Sequence, residues 1–242
     1  MRVAVAQTRP KPGDVPHNTG RHLALLEQAA AAAADLTLFP ELSLTGYEPR
    51  LVGPLAFDPD DARLDQFQAE SDALRMLIAV GAPIRTAGGI EVSQVLFRPG
   101  QPRLRYAKQL LHADEEPFFT AGSRQLVISA AGRRVAPAIC YESLQPSHAE
   151  DAARLGADLY AASVAKSATG GAMAAQHYPA IARKHSMWVV MSNCTGPSDD
   201  FIAAGRSAAW NPQGRCVASL DETSEGVLLV DIANGQCSAV TL

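Results

Sequence analysis

The chain has 242 residues, 47% of them hydrophobic, and a formal charge of −4 from 21 basic and 25 acidic residues. That is enough for one α/β domain over 1–242 with a substantial buried core, and the interspersed charges form no basic block that could follow a phosphate backbone, so nucleic acid is not expected as a partner. No apolar run reaches the roughly 20 residues of a membrane span, and the opening "MRVAVAQTRP" has no signal-peptide core, so a soluble cytoplasmic protein without a membrane partner is expected.

In chain order, "RVAVAQ" (2–7) and "LTLFPE" (36–41) read as strands around a helix from Asn18 to Ala34. A second helix is expected near 60–75, followed by the strand "MLIAVGAPI" (76–84) and by hairpin-like segments up to Cys140, with Pro-Gly and Ala-Gly-Arg at their turns. After Cys140 the cycle repeats: a helix over 146–155, the strand "ADLYAASVA", a helix over 171–186, and "MWVVMSNCT". Three strands close the chain, around Ser207, Val217 and 227–231. Parallel units with helical crossovers and late strand pairs predict a layered α/β sandwich with mixed sheets.

Three polar residues stand just beyond predicted strands, where α/β sheets collect reactive groups. Glu41 follows "LTLFP", Lys108 follows "RLRYA" and Cys140 follows "RVAPAI". Taken singly, each has a plainer reading, as a helix-start carboxylate, a solvated lysine and a buried filler. Together they fit thiol chemistry, in which a base takes the proton and a cation favours the thiolate and the oxyanion formed on addition to a carbonyl or nitrile carbon. The backbone N–H of Tyr141, next to the nucleophile, is the natural second oxyanion donor. The cysteines Cys140, Cys194, Cys216 and Cys237 form no CxxC pair, so neither a zinc site nor a disulfide framework is expected. Cys194, at another strand end, is the rival thiol, but no Lys or Glu motif adjoins it. His112 with Asp114, Glu115 and Glu116 reads as a solvated loop rather than a metal cluster, and His177 and His185 as helix residues.

The stretches "FPELSLTGY" (39–47), "YAKQLLHADEEPFFTAG" (106–122) and "AICYES" (138–143) resemble, in this order, the nitrilase superfamily of carbon–nitrogen hydrolases. Glu41 and Lys108 are 67 positions apart and Lys108 and Cys140 are 32 apart. The resemblance implies a four-layer α-β-β-α sandwich of two mixed sheets. It also implies a Glu-Lys-Cys triad of Glu41 as general base, Lys108 as electrostatic stabiliser and Cys140 as nucleophile, with no cofactor or metal. It further implies a second glutamate after the lysine, and counting back from Gly122 selects Glu115 over Glu116. The chain departs from the family's common wording at "EVSQVLF", "CYESLQPSHAE" and "ARKHSM", and the last two leave the substrate open.

For the substrate pocket, Tyr47, Phe119, Lys166, Asn193 and Thr195 are the candidates. The expected activity is hydrolysis of a small linear amide through a Cys thioester, with N-carbamoyl amine or amino acid hydrolysis as the alternative. A catalytically silent interaction protein on the same scaffold is the rival from another class. The resemblance also implies a homodimer or larger homo-oligomer, toward which the apolar tail "CSAVTL" is a hint.

Overall fold

In the computed structural model, which describes residues 1–242, the first strand already shows how the layers are built. In β1 (Arg2–Gln7), Val3 and Val5 face one apolar core while Ala4 and Ala6 face another, as strand alternation requires. The same alternation recurs in the strand over Arg133–Ile139, where Val135 and Ile139 face inward and Ala136 and Ala138 outward.

The strands in chain order are β1, β2 (Leu36–Leu38), β3 (Leu77–Thr86), β4 (Gly89–Arg98), β5 (Gln101–Ala107), β6 (Ile128–Ala130), β7 (Arg133–Ile139) and β8 (Leu159–Val164). They continue with β9 (Trp188–Asn193), β10 (Thr195–Ser198), β11 (Phe201–Ala204), β12 (Ala208–Trp210), β13 (Cys216–Ser219), β14 (Gly226–Asp231) and β15 (Cys237–Thr241). The helices are α1 (Val15–Ala31), α2 (Val52–Leu55), α3 (Asp65–Leu74), α4 (Pro146–Arg154) and α5 (Ala168–His185).

One sheet runs β15-β14-β1-β2-β3-β4-β5 and the other β13-β12-β9-β8-β7-β6, with β10 and β11 as a separate hairpin. Within the first sheet β1, β2 and β3 are parallel, and within the second β7, β8 and β9 are parallel; the outer strands pair antiparallel, so both sheets are mixed. A 26-residue apolar core lies between the sheets. A second core seats Leu25, Leu26 and Ala29 of α1 and Phe67 of α3 on the outer face of the first sheet. A third seats Ala149 and Ala152 of α4 and Tyr178 and Ile181 of α5 on the outer face of the second. The result is the α-β-β-α sandwich expected from the sequence.

Some boundaries differ from the sequence reading. Helix α1 starts at Val15 rather than Asn18, because Asp14 caps it by accepting from the His17 N–H at 3.1 Å and Pro16 sits in the first turn. The terminal "CSAVTL" is not a loose tail: its residues form β15, an edge strand on β14. The hairpin β10–β11 was not expected at all.

The topology gathers three strand ends. Strand β5 runs antiparallel to β4, and β4 antiparallel to β3, so β5 points the same way as β2 and β3. Glu41, beyond β2, and Lys108, beyond β5, therefore leave the first sheet at the same edge, and Cys140 leaves the end of β7 in the facing sheet.

Candidate active site

Glu41 sits in a turn pressed against β3. The Phe39 N–H donates to the Ala79 carbonyl at 2.9 Å and the Leu44 N–H to the Gly81 carbonyl at 3.1 Å. Only glycine fits at 81, because a Cβ there would lie 2.1 Å from the Pro40 carbonyl oxygen and 2.5 Å from the Leu42 nitrogen. Helix α1 braces the other side: His22 Nε2 lies 2.8 Å from Ser43 Oγ, and Asn18 Nδ2 donates to the Leu44 carbonyl at 3.0 Å.

Lys108 is held by its backbone on both sides, donating to the Val92 carbonyl at 2.9 Å and accepting from the Gly122 N–H at 2.7 Å. The intervening loop folds back so that Glu115 meets the lysine. Lys108 Nζ donates to Glu41 Oε1 at 2.8 Å and to Glu115 Oε1 at 2.6 Å, and all three side chains are about 1% exposed or less. Glu115 is fixed by Tyr47, whose hydroxyl donates to Oε1 at 3.1 Å, and by the His112 N–H, which donates to Oε2 at 2.7 Å. Glu116, its neighbour, is exposed. Burial pulls the Lys108 ammonium down, but the charges of Glu41, Cys140 and Glu115 outweigh it and hold the lysine above its ordinary range.

Cys140 opens a 3-10 turn over Cys140–Leu144 with φ of 44°, a left-handed conformation that a side-chain-bearing residue adopts at some cost. This kink turns the thiol out of the sheet. Its Sγ donates to the Ala165 carbonyl at 3.8 Å, and Lys166 Nζ approaches it at 3.7 Å. The N–H of the same Ala165 donates to Glu41 Oε2 at 3.2 Å, so carboxylate and thiol converge on one residue of the β8 end. Burial and the Glu41 charge push the Cys140 thiol up to about 11, with Lys166 and Lys108 opposing. Glu41 is raised as well, by burial first, against the pull of Lys108. At neutral pH the thiol therefore rests protonated beside a carboxylate whose proton affinity burial has increased.

A buried polar network lies beneath. Glu142 accepts from the Ile139 N–H at 2.8 Å, the Gln109 N–H at 2.6 Å and the Tyr106 hydroxyl at 2.7 Å, and His148 links Tyr106 to Tyr160. Burial raises Glu142 to about 7, although these donors favour its anion. Sequence reading passed over Glu142; its one signal was an acidic residue directly after a core strand.

The thiol opens on a cavity of about 500 Å³ lined by Tyr47, Lys108, Glu115, Cys140, Tyr141 and Lys166, with Met173 and Phe201 among the apolar walls. Of the pocket residues expected from sequence, Tyr47 and Lys166 line it. The other three do not. Phe119 is buried in the core between the sheets. Asn193 spends its amide on the Lys166 backbone and the Gly205 carbonyl, and Thr195 donates to the Glu222 carbonyl at 2.6 Å. Cys194 is fully buried, with its thiol pushed up by burial. At the rim His112 pairs with Asp114 at 2.5 Å while Glu115 turns inward, so these side chains do not converge.

A family model described as carbon-nitrogen hydrolase matches residues 2–241. The chain is 29% identical over 237 residues to an (R)-stereoselective amidase of a Pseudomonas species, covering 95% of this chain and 85% of that protein. It is 26% identical over 245 residues to the glutamine-dependent NAD(+) synthetase of Aquifex aeolicus, covering 98% of this chain but only 43% of the synthetase. An amidase structure from Nesterenkonia sp. AN1, solved with butyramide, superposes with a TM-score of 0.87 at 24% identity, over 96% of this chain and 90% of that one, and shares the fold. No helix of this chain is long and apolar enough to cross a membrane.

Proposed function

The chain belongs to the carbon-nitrogen hydrolase family, and from that premise we propose that it is an amidase releasing ammonia from a small linear amide through a thioester on Cys140. The observation that carries this reading is the buried contact of Lys108 with Glu41 and Glu115 beside a thiol that opens on a cavity. The names of its relatives agree with an amide, one being an amidase and others depending on glutamine.

Glu41 takes the Cys140 proton as the thiolate adds to the amide carbon. Lys108 and the Tyr141 N–H, in the first turn after the kink where helical N–H groups lack internal partners, hold the oxyanion. Glu41 then gives its proton to the departing nitrogen, the C–N bond breaks and ammonia leaves. Water deprotonated by Glu41 adds to the thioester carbon, the C–S bond breaks to release the acid, and Glu41 returns its proton to the sulfur, restoring the free enzyme. Glu115 holds the ammonium of Lys108 in place throughout and takes no proton. The family resemblance further supports a single domain over 1–242 and a homodimer.

The test is an ammonia-release screen over small amides, butyramide included, with N-carbamoyl compounds and nitriles as comparison arms and Cys140→Ser as control. Turnover of an amide by the wild type and its loss in Cys140→Ser are expected. Equal ammonia release by the two proteins would refute the reading.

A further inference from the structure

Lys166 follows β8 and is 5% exposed, yet its ammonium reaches the cavity. The Cys140 sulfur, 3.7 Å away, is the hydrogen-bond acceptor it meets. A buried ammonium set against a neutral thiol is unfavourable unless an anion forms there. The backbone holds it nonetheless: the Lys166 N–H donates to Asn193 Oδ1 at 2.8 Å, and its carbonyl accepts from Asn193 Nδ2 at 3.1 Å and from the Ala204 N–H at 2.9 Å. Asn193 thus serves the site by fastening Lys166 rather than by facing the cavity.

The charges explain why a second cation is needed. Glu41, Glu115 and Lys108 sum to −1, so a thiolate formed among them alone would appear in a site that is already negative. With Lys166 these four buried groups sum to zero before the proton moves from Cys140 to Glu41, and still do after; Asp114, Asp199 and Asp200, which also line the cavity, are exposed to water. We propose that Lys166 is a second catalytic cation, which stabilises the Cys140 thiolate and, after addition, the negative charge that forms beside the sulfur. This rests on Cys140 being the nucleophile. Lys166 Nζ lies 3.7 Å from the sulfur, whereas the Lys108 ammonium is engaged by the carboxylates of Glu41 and Glu115.

The experiment follows the pH dependence of iodoacetamide alkylation at Cys140 by peptide mapping, in the wild type, Lys166→Met, Lys166→Gln and Lys166→Arg. Thermal unfolding of each variant identifies those that fold. An opposite charge at this distance shifts a thiol by about one to three pH units. Below the midpoint the rate follows the thiolate fraction, so at a fixed pH of about 8 alkylation is expected to slow by roughly ten- to a thousandfold in whichever neutral variant folds, and to recover toward the wild-type rate in Lys166→Arg. Amide turnover falls in the neutral variants and partly recovers in Lys166→Arg. An unchanged alkylation rate in a folded neutral variant overturns the proposal, as does an equal slowing in Lys166→Arg. Wild-type Cys140 labelling no faster than Cys216 would defeat the proposed function itself, whereas selective labelling at a rate unchanged in the neutral variants defeats only the role of Lys166.

Discussion

The Glu142 carboxylate accepts from the Gln109 N–H at 2.6 Å, and this one bond ties the turn after Cys140 to the residue after Lys108. The other Glu142 oxygen accepts from the Ile139 N–H at 2.8 Å, immediately before the cysteine. One buried side chain therefore sets the distance between two strand ends that come from different sheets.

Glu142→Gln replaces an acceptor-only carboxylate with an amide that must turn a donor toward one of these N–H groups. Leaving one buried N–H unmet costs about 1–3 kcal/mol, and a misplacement near 1 Å costs roughly 10²-fold in rate. The expectation is a lower unfolding midpoint together with a kcat reduced by about that factor and KM within a few fold. A loss of stability with kcat intact would reduce Glu142 to a brace of the fold.

The two adjacent glutamates separate cleanly. Glu115→Gln removes a charge that touches the Lys108 ammonium, and kcat is expected to fall by about 10²-fold or more. Glu116→Gln, on an exposed side chain, is expected to stay within about twofold. Steady-state kinetics on one amide decides it, and equal effects of the two changes would contradict the assignment.

Gly81→Ala places a methyl group against the backbone that carries Glu41. Overpacking of this kind costs about 1–3 kcal/mol, and here the strain is relieved by moving the Glu41 turn. Thermal unfolding should show the loss, and the folded fraction should turn over amide far more slowly than the wild type. Wild-type kcat in Gly81→Ala would show that the turn tolerates displacement.

His22 provides a pH prediction. Burial holds its imidazole down at about 4, against an ordinary value of 6.5, and its bonds to the Asn18 carbonyl and Ser43 Oγ suit the neutral ring. A depressed folded value means that its contribution is complete above pH 6.5 and is lost as pH falls toward 4, in total on the order of 3 kcal/mol. Thermal unfolding between pH 7 and 4 should therefore depend on pH less steeply in His22→Gln than in the wild type. Parallel curves would exclude His22 as a source of acid sensitivity.

The strand ends bearing Glu41, Lys108 and Cys140 were legible because each follows an apolar run that stops abruptly, and the choice of Glu115 followed from its register with Gly122. The structure adds a reason for that register: a Cβ at Gly122 would lie 2.4 Å from the Ala107 carbonyl oxygen, so the loop can close on the lysine strand only at a glycine. Asn193 and Thr195 misled because a polar residue at a strand end can spend its side chain on neighbouring backbone as readily as on a ligand, and sequence does not show which. The hairpin β10–β11 was missed because "TGPSDDFIAA" lacks strand-like alternation, and the terminal strand β15 because an exposed edge strand buries too little to impose an apolar pattern. The approach of Lys166 to the thiol depends on how β7 and β8 end relative to each other, which no local pattern encodes.

As the nucleophile, Cys140 carries the acyl group during turnover. Rapid acid quenching during amide turnover, followed by intact-mass measurement and peptide mapping, should find the acyl mass on the peptide containing Cys140 and none on those containing Cys194, Cys216 or Cys237. A turning-over enzyme whose acyl group maps to another residue, or that releases ammonia undiminished as Cys140→Ser, would contradict it.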